Sequence, residues 1–460
     1  MGCVSRAAVI MGLMLAWGGV ARAGVQKVAS DTGWRAGAAR AVLTPTQGQF
    51  LSGYGSRRPA AGKRHDVWAK ALALQARGGR PAVLVTTDLV GVSKGTYDRI
   101  ADAAQKRFGL SRAELMLTYS HNHCAPVTTE CLPDYYPLNN AEWREVGEYT
   151  AGMETRIVRL IGEALGKLAP ARLSAGEGLA TFAVNRRNNR EAEVPERRAK
   201  GETLAGPVDH SVPVLSVRDP EDRLLAVAFG YACHPTTLSD DQWCGDYPGY
   251  AQIELEKTHP GATALFWTGC GGDQNPLPRR TVALCRTYGN QLAAAVEAVV
   301  QSGMRPVRPD LRTSFEFVKL EFERRPTREE LQRDTSSPNS VRARWARRVL
   351  PMVDGGHSFP AHCDYGVQVW RLGEDLRWIA LGGEAVVDYA IRFRREYGPH
   401  TWIGGYAHDM VGYVPSRRVW REGGYEAEFI YEYGWLAYRW TEDTEDRIAA
   451  AVGRLMKRVR

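Results

Sequence analysis

Long apolar runs are scarce in this 460-residue sequence. Beyond the first 23 residues none reaches the roughly 20 residues that a bilayer crossing needs, which excludes a polytopic membrane protein. The 8 cysteines contain no C-x-x-C, so a thioredoxin-like motif and a zinc-ribbon knuckle are absent. No internal repeat or low-complexity tract occurs, which argues against a solenoid or a disordered linker chain. A large excess of charge of one sign is absent as well. Sixty Lys and Arg face 52 Asp and Glu, a net +8. Arg6 and Arg22 supply two of those charges, and the +6 left is too thinly spread for a nucleic-acid footprint.

A hydrophobic fraction of 44% and a charged fraction of 24% describe a globular chain, long enough to bury a large core without staples. Arg6, the uncharged residues 7–21, then Ala21-Arg22-Ala23 and Gly24 form the pattern of a secretory signal peptide. The expectation is a signal over 1–23 and a mature chain over 24–460, secreted or periplasmic, with no transmembrane span. Seven cysteines remain after Cys3, so at least one stays unpaired within the chain. Cys124–Cys131 or Cys233–Cys244 would close short loops, and the sequence leaves the pairing open.

The mature region alternates short β-branched runs with amphipathic stretches, the pattern of an α/β fold. Strands are expected over 82–88, 114–120, 224–233, 263–268 and 377–381. A helix is expected over 93–108, stopped by Gly109, and another running from Pro248 towards Lys257. Residues 327–349 read as two helices around a polar break, and 185–205 as an exposed arginine-rich loop. The unusual polar residues fall just after strands. His121 and His123 follow one, His234 another, and the Gly-rich turn Gly269-Cys-Gly-Gly-Asp273 a third. Glu384 follows a fourth, where it opens a helix over 385–397. Ligands of open α/β sheets bind beyond the carboxyl ends of strands, so these residues are placed to converge. Two histidines and a carboxylate are the donor set of a hydrolytic zinc. His-x-His on extended backbone turns both rings to one face, one for metal and one for protons. A hydrogen-bonded structural pair of histidines accounts for the same spacing, and Tyr413 and Tyr425 read by themselves as loop packing.

Tyr119-Ser-His-Asn-His-Cys-Ala-Pro126 resembles the T-H-T-H-S-G-P segment of neutral ceramidases. Ser52-Gly-Tyr54, His65-Asp66, Thr86-Thr-Asp-Leu89, Asn185-Arg186, Asp246-Tyr-Pro-Gly-Tyr-Ala251, Gly271-Gly-Asp-Gln-Asn-Pro276, Gly383-Glu384 and Gly412-Tyr-Val414 follow in that family's order. The resemblance covers residues 33–440. It implies zinc (Zn2+) ligands at His121, His234, Glu384 and Tyr413, a catalytic His123 beside the metal, a substrate-holding Arg186 and a second catalytic tyrosine at Tyr425. Two departures stand out. Gly269 takes the place of a family serine, with Cys270 one position on. The chain ends at Arg460, where full-length ceramidases continue into an immunoglobulin-like domain.

The resulting expectation is one large catalytic α/β domain, with mixed β-sheets flanked by helices, lacking that C-terminal domain. The expected activity is an exported zinc-dependent amidohydrolase that cleaves N-acyl amides through a metal-activated water. Ceramide-like lipids are the family default, and Cys270 is expected to be structural or disulfide-bonded. The rivals are a deacylase or esterase acting on another substrate, such as an N-acetylated sugar, and a non-catalytic binding protein of the same fold. Wide aromatic and apolar pocket walls would favour a long acyl chain and polar walls a sugar.

Overall fold

Three strand–helix–strand units position the residues singled out by the sequence. In the first, Ala82–Thr87 and Leu115–Tyr119 pair in parallel through the helix Lys94–Phe108. Every residue of both strands is buried, as a sheet covered on both faces requires. The helix starts where Ser93 Oγ accepts from the amide of Thr96, and it stops at Gly109, whose φ of 70° suits glycine. Tyr97, Ile100, Ala101 and Ala104 form its buried stripe. In the second unit, Leu224–Tyr231 pairs in parallel with Thr263–Thr268 across Asp246–Thr258. In the third, Leu376–Gly382 pairs in parallel with Thr401–Ala407 across Asp388–Tyr397. His121 follows the second strand of the first unit. His234 and Glu384 follow the first strands of the other two.

The coordinates are a computed structural model that describes residues 33–46, 48–428, 434 and 439–460, besides Met1 and Gly2. The expected signal peptide over 1–23 therefore lies outside the described residues, Met1 and Gly2 apart. Residues Asp31–Arg460 form one compact unit. Among the described residues, the parallel pairs belong to a thirteen-stranded mixed sheet. Thr263–Thr268 lies at one end of the strand order and Leu311–Glu321 at the other. The sheet folds back on itself. Thr263–Thr268 packs over Trp68–Ala76, Ala82–Thr87 and Leu115–Tyr119, and Gly269 bridges to Gly404.

Between the two halves lies a core that includes Trp34, Met116, Leu265, Trp267, Trp378 and Trp402. The Trp267 and Trp378 rings sit 5.0 Å apart, and truncating such a buried ring costs about 3–5 kcal/mol. Helices cover the outer faces. Asn140–Gly166 buries Val146, Ile157 and Ile161 against one half, while Val282–Gln301 and Thr444–Arg458 pack against other parts of the sheet. The result is the expected α/β architecture of mixed sheet flanked by helices. No helix among the described residues is long and apolar enough to cross a membrane.

Four expectations are corrected. Glu384 does not open a helix: Glu384–Ala385 is a short strand paired in parallel with Tyr413–Val414, and the helix begins only at Asp388. Pro248 does not start its helix, which begins at Asp246 and carries Pro248 in its first turn. The stretch 185–205 is not simply an exposed loop. Ala183–Asn185 pairs with Gln274–Pro276, Val194–Ala199 is helical, and Asn185, Asn189 and Val194 are buried. Neither of the two disulfides considered from the sequence forms: all seven described cysteines are buried free thiols. Cys124 meets Cys244 instead, whose amide donates to the Cys124 carbonyl at 3.2 Å.

Candidate metal centre and active-site pocket

His121 leaves its strand with a φ of 62°, a left-handed conformation that costs a non-glycine residue about 1–3 kcal/mol. Its amide donates to the Leu89 carbonyl, and its Nδ1 lies 2.7 Å from the Val90 carbonyl. His234 Nδ1 lies 2.7 Å from the Gly271 carbonyl and 3.1 Å from that of Gln274. A carbonyl only accepts, so both rings donate through Nδ1, and Nε2 is left as a bare lone pair in the neutral ring. Both Nε2 atoms face Glu384. They lie 3.3 Å (His121) and 2.7 Å (His234) from Glu384 Oε2. The three donor atoms fall within 4.8 Å of one another, and all three residues are buried.

Electrostatics decides what this cluster can hold. Burial pushes His121 down to about 4 and His234 well below the usual histidine range, so both are neutral near pH 7. Burial raises the Glu384 carboxyl, against the pull of His121 and Arg186. Two lone pairs and a carboxylate aimed at one another repel unless a positive charge lies among them. Neutral imidazoles with fixed tautomers and a buried carboxylate are the donors zinc takes, so these residues fit a divalent cation.

The backbone explains how distant segments meet here. The register Glu384 opposite Tyr413 brings the Tyr413 phenol to the Glu384 carboxylate. The Gly-rich turn can approach this strand because Gly272 has no side chain: a Cβ there would lie 2.6 Å from the Glu384 carbonyl. Arg186 follows the strand Ala183–Asn185. Its Nη2 donates to the Tyr413 hydroxyl at 3.0 Å, Nε to Glu426 at 2.8 Å and Nη1 to Asn275 at 3.3 Å. Its guanidinium also lies over the rings of Tyr413 and Tyr425. Tyr425 is 39% exposed, and its ring lies 5.2 Å from that of Tyr413.

His123 is not one of the three donors. Its ring packs 5.0 Å from His121 and 4.8 Å from Tyr54, and neither ring nitrogen has a hydrogen-bond partner in the protein. Burial pushes its pKa well below the usual range, helped by His121, His234, Arg58 and Arg279. His123, Arg186, His234, Tyr413 and Tyr425 all line one cavity of about 1150 Å³. Cys270 does not line it. Its thiol lies in the core that includes Tyr365, Ile379 and Tyr389, where burial raises its pKa well above normal and leaves it a poor nucleophile.

Sequence reasoning missed three contributors. Tyr406, on a strand the sequence did not reveal, donates to Glu384 Oε2 at 3.4 Å. Glu426 anchors Arg186 and Arg187. Tyr54 stood only in a motif of the resemblance, with no role attached. None carries a local pattern that distinguishes it from a packing residue.

No protein-family model matches the chain, and no curated protein matches it. Solved structures do. A neutral ceramidase from Pseudomonas aeruginosa superposes with a TM-score of 0.69 at 20% identity, covering 93% of this chain and 74% of that one. A structure described as ceramidase complexed with C2 gives a TM-score of 0.68 at 19% identity, covering 92% and 76%. The chain has the fold of the neutral ceramidases.

Proposed function

We propose that this protein is a zinc-dependent hydrolase of N-acyl amides, exported through cleavage of residues 1–23. The observation that carries the reading is the convergence of two neutral imidazole nitrogens on the Glu384 carboxylate, beside a cavity that holds a histidine with no partner. His121, His234 and Glu384 would hold the ion, with Tyr413 beside Glu384 as the fourth donor. When bound, it supplies Lewis acidity to a substrate carbonyl and to water.

The remaining chemistry belongs to the chain. His123 carries a proton from the attacking water to the leaving amine, starting from the neutral ring that burial favours. The Tyr425 hydroxyl steadies charge developing on the carbonyl oxygen. Arg186 keeps Tyr413 and Glu426 in place and presents a cation to the same pocket. Cys270, facing the core, takes no part.

The test pairs metal content with turnover. Purified protein should hold about one zinc per chain and release acid from N-acyl amides. Glu384→Ala should lose both zinc and turnover. A Glu384→Ala variant that stays fully zinc-loaded refutes the ligand assignment, and a zinc-replete protein that cleaves no amide refutes the activity. Amino-terminal sequencing of the exported protein should begin at Gly24.

A further inference from the structure

The cavity over the proposed centre is lined by arginines, glutamates and amides together with the rings of Tyr54, Tyr135, Tyr413 and Tyr425. Leu277 is the one aliphatic leucine, isoleucine or valine among its described lining residues, against five arginines and three asparagines. Burying a methylene on an apolar surface contributes about 0.8 kcal/mol. Against guanidinium and carboxamide groups that gain is offset by the water those groups lose. Such a wall suits a hydrophilic substrate.

The charges on it are not evenly matched. Arg279 is held by both oxygens of Glu191. Arg186 and Arg187 share Glu426, and Arg187 also meets Glu422. Arg280 has no carboxylate within 4.0 Å among the described residues. It is exposed and held at a left-handed φ of 87°, with its amide donating to the Thr237 carbonyl at 2.7 Å. Its Nη1 donates to the Tyr54 hydroxyl at 2.9 Å, and its guanidinium lies 5.6 Å from that ring's centre.

The ring of Tyr54 packs 4.8 Å from His123, so Arg280 stands one tyrosine ring from the proposed proton carrier. Arg58 lies 4.9 Å from the same ring and donates only to backbone carbonyls of Ser52, His123 and Asp240. Two cations with no carboxylate within 4.0 Å among the described residues therefore flank the tyrosine that walls the reacting end of the pocket, Arg280 acting on Glu191 only from further off. A left-handed, non-glycine backbone that fixes one of them is the kind of strain retained at ligand-binding positions.

We infer that the substrate is a hydrophilic N-acyl amine whose amine part carries an anionic group, carboxylate or sulfonate-like, paired by Arg280. This rests on the amide-hydrolase reading above and departs from a long-chain ceramide. An amine part a few bonds long spans the step from the scissile nitrogen to a guanidinium one ring away. Arg280 pairs such a group in a fixed fork geometry.

The experiment uses zinc-loaded protein and four probes: N-hexanoyl-4-aminobutyrate, its neutral primary amide, N-hexanoyl-3-aminopropanesulfonate, and a long-chain ceramide in mixed micelles. The carboxylate and the sulfonate distinguish the two anion sources. At least one should show kcat/KM at least about tenfold above the neutral amide and above ceramide. Arg280→Gln should raise KM for the preferred anion about tenfold or more, with kcat and the neutral amide nearly unchanged, and Arg280→Lys should restore part of it. Equal turnover of charged and neutral probes overturns the inference, as does ceramide being the best substrate. An Arg280→Gln loss shared by all probes also overturns it, because Arg280 then only supports Tyr54. If no probe is cleaved, the hydrolase reading fails separately, and calorimetry decides. Tenfold tighter binding of an anionic probe, lost in Arg280→Gln, keeps the pairing, and equal binding removes it.

Discussion

His123 differs from the two histidines beside it in having nothing in the protein to bond. His121 and His234 each spend Nδ1 on a backbone carbonyl, which fixes their tautomers, whereas neither nitrogen of His123 has a partner in the protein. Its ring is held by shape instead. Gly53 adopts a φ of 86°, and a Cβ there would lie 2.2 Å from His123 Cγ. Gly53→Ala should therefore displace the ring and lower kcat about tenfold or more while leaving zinc content intact. His123→Ala should cost about a hundredfold, the scale of a general acid–base group. Steady-state kinetics with elemental analysis checks both, and a fully active Gly53→Ala would show that the ring's position does not matter. Cys270 provides the contrast. It is buried and faces the core, so Cys270→Ala should keep kcat within about tenfold, a loss below ~1.4 kcal/mol. A folded, zinc-replete Cys270→Ala without turnover would restore a thiol mechanism.

Short elements rather than long ones complete the site. The four-residue helix Tyr425–Glu428 is too short to be stable alone and is tied down by Glu426, which takes Arg186 at 2.8 Å and Arg187 at 2.6 Å. Glu426 is only 3% exposed. Glu426→Ala should thus destabilise the protein by on the order of 3 kcal/mol, the cost of leaving the largely buried Arg186 without its carboxylate while Arg187 keeps only Glu422. It should also lower kcat by loosening Tyr425 and Tyr413. Denaturant titration alongside kinetics tests this, and unchanged stability would mean that pocket water already solvates the arginines. The same elements mark how far the sequence could be read. Strands with fully buried β-branched runs, such as Ala82–Thr87, and helices with both caps written in residues, such as Ser93 to Gly109, were legible because the signal is local. His121, His234 and Glu384 were placed correctly after strands for the same reason. The two-residue pairing of Glu384–Ala385 with Tyr413–Val414 was not legible. Its register is set by the third strand–helix–strand unit, not by Glu384's neighbours, which read as a helix start. Tyr413 entered only through the family resemblance, and Tyr406 not at all.

At the scale of the whole molecule, folding buries an acid it does not pair. Asp409 follows the strand Thr401–Ala407, is 2% exposed, and its Oδ1 has no hydrogen-bond partner. Around it lie Tyr97, Tyr119 and Cys363, with the Lys94–Asp98 pair further out. Burial raises its carboxyl from 3.8 to about 7, with Lys94 pulling the other way and Asp98 reinforcing the rise. The sign follows from proton binding. Between those two values the folded chain holds a proton that the unfolded chain has lost, so raising the pH destabilises the fold. The contribution is fully present below about pH 4 and is lost by the time pH passes about 7, a swing on the order of a few kcal/mol. Other groups titrate over the same range, among them the histidines of the candidate centre, so the informative quantity is a difference. Asp409→Asn keeps the shape of the protonated acid and cannot ionise. Its Tm relative to the parent chain should rise steadily from pH 5 to pH 7 and then level off by pH 8. A gap that stays constant over that range would mean that Asp409 is ionised in the folded protein throughout, with a cation or ordered water meeting it in the core.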